Sequence, residues 1–445
     1  MAIHRLFIAN RGEIALRVIR TARRMGITTV LGVSEADRTS LPAREADEAV
    51  LVGPSPSSES YLSIARVVEA ASKAGCDAVH PGYGFLSENA AFARAVAAAG
   101  MVFVGPAPET LDKMGDKLEA RALALAAGLP VLPGGEVASR AELHARATET
   151  GYPLLLKAVA GGGGRGMRRV DAPDTLDTAY DLASSEAEVA FGNGAVYAER
   201  FVARGRHVEV QILGDGTSAI HLGTRDCSIQ RRFQKLVEEA PAPNLPDAAR
   251  DGLEQAAVRL ARHMHYRGAG TAEFLVDAEN FSFYFLELNA RIQVEHPVTE
   301  AVTGVDLVEQ QLLVAMGKLL SLTQEMVRPF GHAIEVRINA EDPDADFRPH
   351  PGRVTRAAWP AGEGIRVDSH ITSGGEVPPY YDSLIGKLIA IGASREEALS
   401  RLSRALDVLT IEGLPTTASL HRTIAADPRF AAGGVDSHFL PGILP

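Results

Sequence analysis

At 445 residues, with 46% apolar and 23% charged composition, the chain is long enough for two or three domains, each with its own core, which excludes an intrinsically disordered protein. A formal charge of −11 argues against a surface dedicated to nucleic acid or anionic membrane, because such binding rests on neutralising phosphates. The only cysteines, Cys76 and Cys227, lie far apart without a C-x-x-C spacing, and no run approaches the roughly 18 apolar residues of a membrane span. A disulfide framework and a zinc site are therefore not indicated, and an unprocessed, soluble, cytoplasmic chain is expected.

Arg5 to Ala9 form a short apolar run, Glu13 to Met25 place Ile14, Val18, Ile19 and Ala22 on one helical face, and Thr28 to Val33 form a second run, giving β-α-β. A helix at Leu62 to Ala74, a strand at Ala78 to His80, a helix at Ala90 to Ala99 and a strand at Met101 to Val104 continue the alternation. It predicts a parallel sheet covered on both faces, a Rossmann-like first domain ending near residue 113. The dinucleotide fingerprint G-x-G-x-x-G is missing from it. His80 to Phe85 (HPGYGF) joins strand to helix, with Ser87 or Asn89 as a cap; turn chemistry explains it, and so does a surface for a flat ring.

Further on, Pro153 to Lys157 and Met167 to Val170 read as strands flanking Ala160 to Gly166, with four consecutive glycines. So many glycines are costly in regular structure, and the run suits either a flap over a nucleotide or a loose hairpin tip; it is not a P-loop. Strands between Val196 and Leu222 precede the basic block Arg225 to Lys235, which fits a charged surface turn or an oxyanion site. Lys117 and Lys157 are either phosphate ligands or ordinary exposed lysines. A helix at Pro246 to His265, strands between Thr271 and Leu288, a helix at Val305 to Met316 and a β-rich tail with a helix at Arg395 to Leu409 complete an α+β pattern.

From Leu286 to Glu295 apolar and polar residues alternate without a break. If extended, Glu287, Asn289, Arg291, Gln293 and Glu295 share one face, which fits a metal-and-anion site or, less well, a solvated strand face. Glu273, from a neighbouring strand, adds a carboxylate, and Glu273, Glu287 and Asn289 supply the hard oxygen ligands that Mg²⁺ prefers.

Taken in order, Ile8 to Ala15 (IANRGEIA), His80 to Asn89 (HPGYGFLSEN), Met114 to Lys117 (MGDK), Gly161 to Met167 (GGGGRGM), Arg225 to Pro241, Asn289 to Glu300 (NARIQVEHPVTE), Arg337 to Pro343 (RINAEDP) and Pro379 to Ser383 (PYYDS) resemble the biotin carboxylase family over essentially the whole chain. The resemblance implies a Rossmann-like domain over residues 1–113, an ATP-grasp domain over 114–330 with a mobile lid at about 131–203, and a β-rich C-terminal domain over 331–445. It implies ATP contacts from Lys117, Lys157, Gly163, Gly164, Glu199, Arg200, Val202, His207, Gln230, Glu273 and Glu287, with two Mg²⁺ or Mn²⁺ ions on Glu273, Glu287 and Asn289. Bicarbonate is implied at Lys235, Arg291, Gln293, Val294 and Glu295, and biotin at Tyr83, Gly84 and Arg337. The catalytic set is Arg291, Glu295, Lys235 and Arg337, with Glu295 as the base on bicarbonate.

Three departures from the family pattern cover five residues: Phe233 in place of a polar residue, Val159-Ala160 before the glycines, and Arg200-Phe201. Phe233 is therefore left out of the expected site. The sequence shows no Met-Lys-Met biotin-attachment segment and no carboxyltransferase, so biotin is expected as a substrate brought by a biotin carboxyl carrier protein, with a separate carboxyltransferase component and a homodimeric enzyme. A different ATP-grasp ligase and a silent nucleotide-binding subunit are the rival readings; Tyr83, Gly84 and Arg337 speak against the first, and intact Lys235, Arg291, Glu295 and Arg337 against the second.

Overall fold

Five parallel strands, β1 (Arg5–Ile8), β2 (Thr28–Ser34), β3 (Glu48–Gly53), β4 (Ala78–His80) and β5 (Val102–Phe103), form the first sheet of the computed structural model, in the order β3-β2-β1-β4-β5. The structure describes residues 2–159, 167–191 and 194–444. Helix Gly12–Arg24 buries Ile14, Ala15, Val18, Ile19 and Ala22, the stripe its sequence periodicity predicts. The strand order reverses between β1 and β4, so the segments leaving them, Ala9 to Glu13 and Pro81 to Phe85, meet at a switch point where open α/β sheets leave a crevice. Asn10 Nδ2 joins the two by donating to Pro81 O and Tyr83 O, each at 2.7 Å. Gly82 has φ +63°, and a Cβ there would lie 2.7 Å from that same Nδ2, so only glycine fits the approach.

A four-stranded sheet follows, β6 (Gly134–Val137), β7 (Leu154–Ala158), β8 (Arg168–Val170) and β9 (Val196–Arg200), ordered β6-β9-β7-β8 and covered by helices Arg140–Thr150 and Leu176–Phe191. The largest sheet is antiparallel throughout and contains β10 (Gly205–Asp215), β11 (Ala219–Arg231), β12 (Gln234–Ala240), β13 (Arg267–Asp277), β14 (Phe283–Asn289), β15 (His332–Asn339), β16 (Ile365–Ser369) and β17 (Leu384–Gly392). Its order is β14-β13-β10-β11-β12-β15-β17-β16. The pairing of β12 with β15 carries this sheet without interruption across residue 330.

Period-2 alternation decides which face of the large sheet is chemical. On β10, Val208, Val210 and Ile212 pack against Leu253, Ala257 and Leu260 of helix Asp247–His263. His207, Glu209 and Gln211 therefore point the other way. On β15, Ile334, Val336 and Ile338 join Leu402 and Leu406 of helix Arg395–Val408 and Leu420 and Ile424 of helix Ala418–Ala426, leaving Glu335 and Arg337 on the opposite face.

One sequence expectation fails. The alternating run from Leu286 to Glu295 is not one extended strand: β14 ends at Asn289, and residues 290–295 loop into helix His296–Thr303, which the sequence reading had not anticipated. Pro297 at the start of that helix has its φ preset for a helical first turn. A register shift also exposes Leu286, with Glu273 opposite Glu287 and Phe274 opposite Phe285. The alternation beyond Asn289 arises because the loop inserts Ala290 and Ile292 into the core one at a time.

Candidate active site

Four charged residues line up across neighbouring strands: Arg225 on β11 faces Glu209 on β10, Glu209 faces Glu273 on β13, and Glu273 faces Glu287 on β14. Directly opposed residues share a face at close range, and opposed like charges destabilise a sheet unless cations intervene. Lys235, from β12, supplies one. Its Nζ donates to Glu209 Oε2 at 2.6 Å, Glu295 Oε1 at 2.7 Å, Glu273 Oε1 at 2.9 Å and Gln293 Oε1 at 3.1 Å. Burial opposes the charge on Lys235, but Glu209, Glu273 and Glu295 outweigh it and hold the ammonium's pKa well above its ordinary value. Arg225 supplies the other cation, fully buried at 0% exposure, with Nε 2.5 Å from Glu209 Oε1 and Nη atoms on Gln211 (2.7 Å), Thr299 (2.9 Å) and Thr271 (3.1 Å). Arg225→Met leaves Glu209 buried beside one cation instead of two. We expect it to cost about 3–5 kcal/mol of stability, read as a lowered urea midpoint.

Glu295 bridges two cations. Its Oε1 accepts from Lys235, and its Oε2 accepts from Arg337 Nη2 at 3.0 Å, while Arg337 Nε donates to Glu238 Oε1 at 2.6 Å. Burial pushes the Glu295 carboxyl up, but Lys235, Arg337 and Arg225 together hold it well below the usual carboxylate range. A cavity of about 340 Å³ opens in front of this cluster, lined by Tyr83, Gly84, Lys235, Arg291, Val294 and Arg337. It lies at the switch point of the parallel sheet, so the first and last thirds of the chain both wall it. Tyr83 OH donates to Glu13, and Asn89, rather than Ser87, caps the following helix by accepting from Phe92 N at 2.9 Å.

The residues expected to hold metal sit beside the same cluster. Glu273 Oε1 accepts from Asn289 Nδ2 at 2.9 Å and Gln293 Nε2 at 2.8 Å, and Glu273 Oε2 lies 2.7 Å from His207 Nε2. Burial works against a charge on His207, but Glu273 outweighs it and raises the imidazole's pKa. Glu287 is exposed, and the surrounding protein and the Glu273 carboxylate raise its pKa. A hard divalent cation would relieve that repulsion, and Glu273, Glu287 and the Asn289 amide oxygen are the donors it prefers. Arg291 is held nearby, with Nε 2.9 Å from Glu88 Oε2 and Nη2 3.0 Å from Asn289 Oδ1.

Not every expected residue joins this cluster. Lys157 and Glu199 pair at 2.8 Å on the small sheet, on β7 and β9. Arg200 is exposed at the end of β9, Val202 lies just beyond it, and Lys117 is an exposed first residue of helix Lys117–Ala126. Gln230 Nε2 is turned toward Cys227 O at 2.8 Å. Gly163 and Gly164 lie outside the described residues. Phe233 is 63% exposed, with φ +67°, at the turn between β11 and β12.

Glu209, Glu238 and Glu88 were missed from the sequence. For Glu209 the signal was present: His207, Glu209 and Gln211 alternate with three buried apolar residues, as metal-site strands do. Glu238 and Glu88 depend on pairings between distant strands and loops that no local pattern records.

A small four-stranded sheet carrying Lys157 and Glu199, and a large antiparallel sheet carrying Lys235, paired carboxylates and an amide, are the parts of an ATP-grasp enzyme, an ATP-dependent ligase. Residues 116–323 match the ATP-binding domain of the carbamoyl-phosphate synthase large chain, residues 2–111 the biotin carboxylase N-terminal domain, and residues 335–442 the biotin carboxylase C-terminal domain. The chain is 51% identical to the biotin carboxylase of Nostoc sp. over 99% of both chains. Among solved structures it resembles the Campylobacter jejuni biotin carboxylase–β,γ-ATP complex, with a TM-score of 0.92, 45% identity and 99% of each chain covered. It also resembles the biotin carboxylase domain dimer of Hydrogenobacter thermophilus 2-oxoglutarate carboxylase, in complex with MgADP, ADP and bicarbonate (TM-score 0.91, 43% identity, covering 99% of this chain and 98% of that one). The chain belongs to the biotin carboxylase family.

Proposed function

We infer that the chain carboxylates biotin with ATP and bicarbonate through carboxyphosphate, the first half-reaction of a biotin-dependent carboxylase. One observation carries the reading: Glu295 is held between Lys235 and Arg337 at the wall of the cavity, a carboxylate flanked by two fixed cations. Bicarbonate binds against Lys235, Arg291, Gln293 and the Val294 backbone. As it takes the attention of Lys235, Glu295 loses part of the charge that depresses its pKa and becomes a better base. The bicarbonate oxygen, its proton passed to Glu295, attacks the γ-phosphorus of ATP and displaces ADP. Carboxyphosphate then separates into CO2 and phosphate. That phosphate takes the ureido N–H proton, and the biotin enolate attacks CO2 while Arg337 stabilises the enolate oxygen, a permanent charge aimed where charge develops.

Lys117, Lys157, Gly163, Gly164, Glu199, Arg200, Val202, His207, Gln230, Glu273 and Glu287 serve the nucleotide. Glu273, Glu287 and Asn289 are assigned two Mg²⁺ or Mn²⁺ ions, which when bound neutralise phosphate charge. Tyr83 and Gly84 hold the ureido ring against Arg337. We propose a division at residues 1–113, 114–330 and 331–445, with the large sheet spanning the second boundary and the small sheet as the lid that shields the labile intermediate.

The dimeric relative and the catalytic set support a homodimer that works with a biotin carboxyl carrier protein and a carboxyltransferase. Two free, buried cysteines agree with a reducing cytoplasm, and no helix among the described residues is long and apolar enough to cross a membrane. The test is ADP release with MgATP. We expect stimulation that needs bicarbonate and free biotin together; turnover indifferent to biotin would assign the site to another ATP-grasp ligase.

A further inference from the structure

Behind Arg337 lies a pair of carboxylates that this mechanism does not use. Glu238 on β12 and Glu335 on β15 are directly opposed in the antiparallel register, both at 0% exposure, on the sheet face that carries Arg337. Arg337 Nε occupies Glu238 Oε1. Glu238 Oε2 and both oxygens of Glu335 have no hydrogen-bond partner among the described residues.

The charged and titratable groups that face Glu335 are Glu238 from β12, Arg337 from its own strand, Lys387 from β17, and Glu295 and His296 at the start of the helix packed on this face. Lys387 is already engaged, with Nζ donating to Val294 O at 2.7 Å and lying 3.1 Å from Glu13 Oε1. Burial, with Lys387, Arg17 and Arg366, keeps His296 neutral. Two opposed carboxylates in a buried site, only one of them bonded to the guanidinium, do not both stay ionised, because like charges at that range favour retention of one proton.

We propose that Glu335 is a positioning residue for Arg337: it carries a proton, donates it toward the free oxygen of Glu238, and keeps Glu238 ionised and aimed at the guanidinium when Glu295 lets go. The proposal rests on the carboxylation reading above. Glu238 thus holds the guanidinium while Glu295 turns to bicarbonate, so Arg337 keeps its orientation through the cycle. Burial lifts the Glu335 carboxyl well above the usual range against the pull of Lys387, and it lifts Glu238 to about 7 despite Arg337.

The test compares the full chain with Glu335→Gln, which keeps a donor, and Glu335→Leu, which does not. Native Glu335 binds a proton that the unfolded chain releases above about pH 4.3, so the native protein loses stability as pH rises through that window. The melting temperature of Glu335→Gln relative to wild type is therefore expected to rise between about pH 5 and about pH 8. A drop at neutral pH would mean an ionised Glu335 and overturn the proposal. In free-biotin carboxylation, Glu335→Gln should stay within about threefold of wild type, while Glu335→Leu raises the KM for biotin about tenfold. Bicarbonate-dependent ADP release without biotin should be unchanged in both variants, and it reports that they are folded. Equal KM values for the two variants would also overturn it. Wild-type turnover without biotin stimulation would instead overturn the functional reading, and the melting experiment would still judge Glu335.

Discussion

Glu295→Gln is expected to lower bicarbonate-dependent ADP release by about 10³-fold or more, while the chain still folds and binds nucleotide. The amide cannot take the bicarbonate proton, so the oxygen that must attack phosphorus stays a poor nucleophile. Shape is preserved, because Gln presents an acceptor to one of the two cations Glu295 bridges. A structural role alone predicts the opposite pattern, with a lowered melting temperature and activity that tracks the folded fraction. Rapid-quench measurement of ADP formation against nucleotide titration separates the two. Full turnover by Glu295→Gln would remove Glu295 from the chemistry.

Arg337→Met should split the reaction at a different point. Carboxyphosphate formation draws on Lys235, Arg291 and Glu295, so slow ADP release with bicarbonate persists. Biotin carboxylation should fall by about 10²–10³-fold, the scale of losing one oxyanion stabiliser. Glu238 and Glu295 lose a shared cation in this variant, and both pKa values should rise. The pH response that Glu238 gives near 7 in wild type should therefore move to higher pH in the variant's residual activity with biotin. Parallel loss of both half-activities would show that Arg337 serves bicarbonate rather than biotin.

The parallel sheet was legible because its helices carry a 3.6-residue apolar stripe, as Ile14, Val18, Ile19 and Ala22 do, and its strands are short buried runs. The motif residues of the site were legible as a set: Lys235, Arg291, Gln293, Glu295, Glu273, Asn289 and Arg337 converge on one cleft. How they converge was not. Period-2 alternation from Leu286 to Glu295 suggested a strand, but a loop can bury alternate residues as well, and only Asn289 and its predecessors are extended. Glu238 and Glu335 were invisible for a related reason. Their meaning comes from being opposite each other across strands about a hundred residues apart in sequence, and register is a property of the assembled sheet.

The unbroken large sheet gives the enzyme a mechanical character. Lys235 and Arg337 stand on paired strands, so the residues proposed to serve bicarbonate and biotin are joined by a hydrogen-bonded ladder rather than a hinge. The last third of the chain cannot be exchanged like a cartridge, because lifting it out would leave β12 with a raw edge and strand Lys235 beside bare solvent. Distance between the two halves of the chemistry is fixed by strand spacing, and motion is left to the parts of the fold outside that ladder.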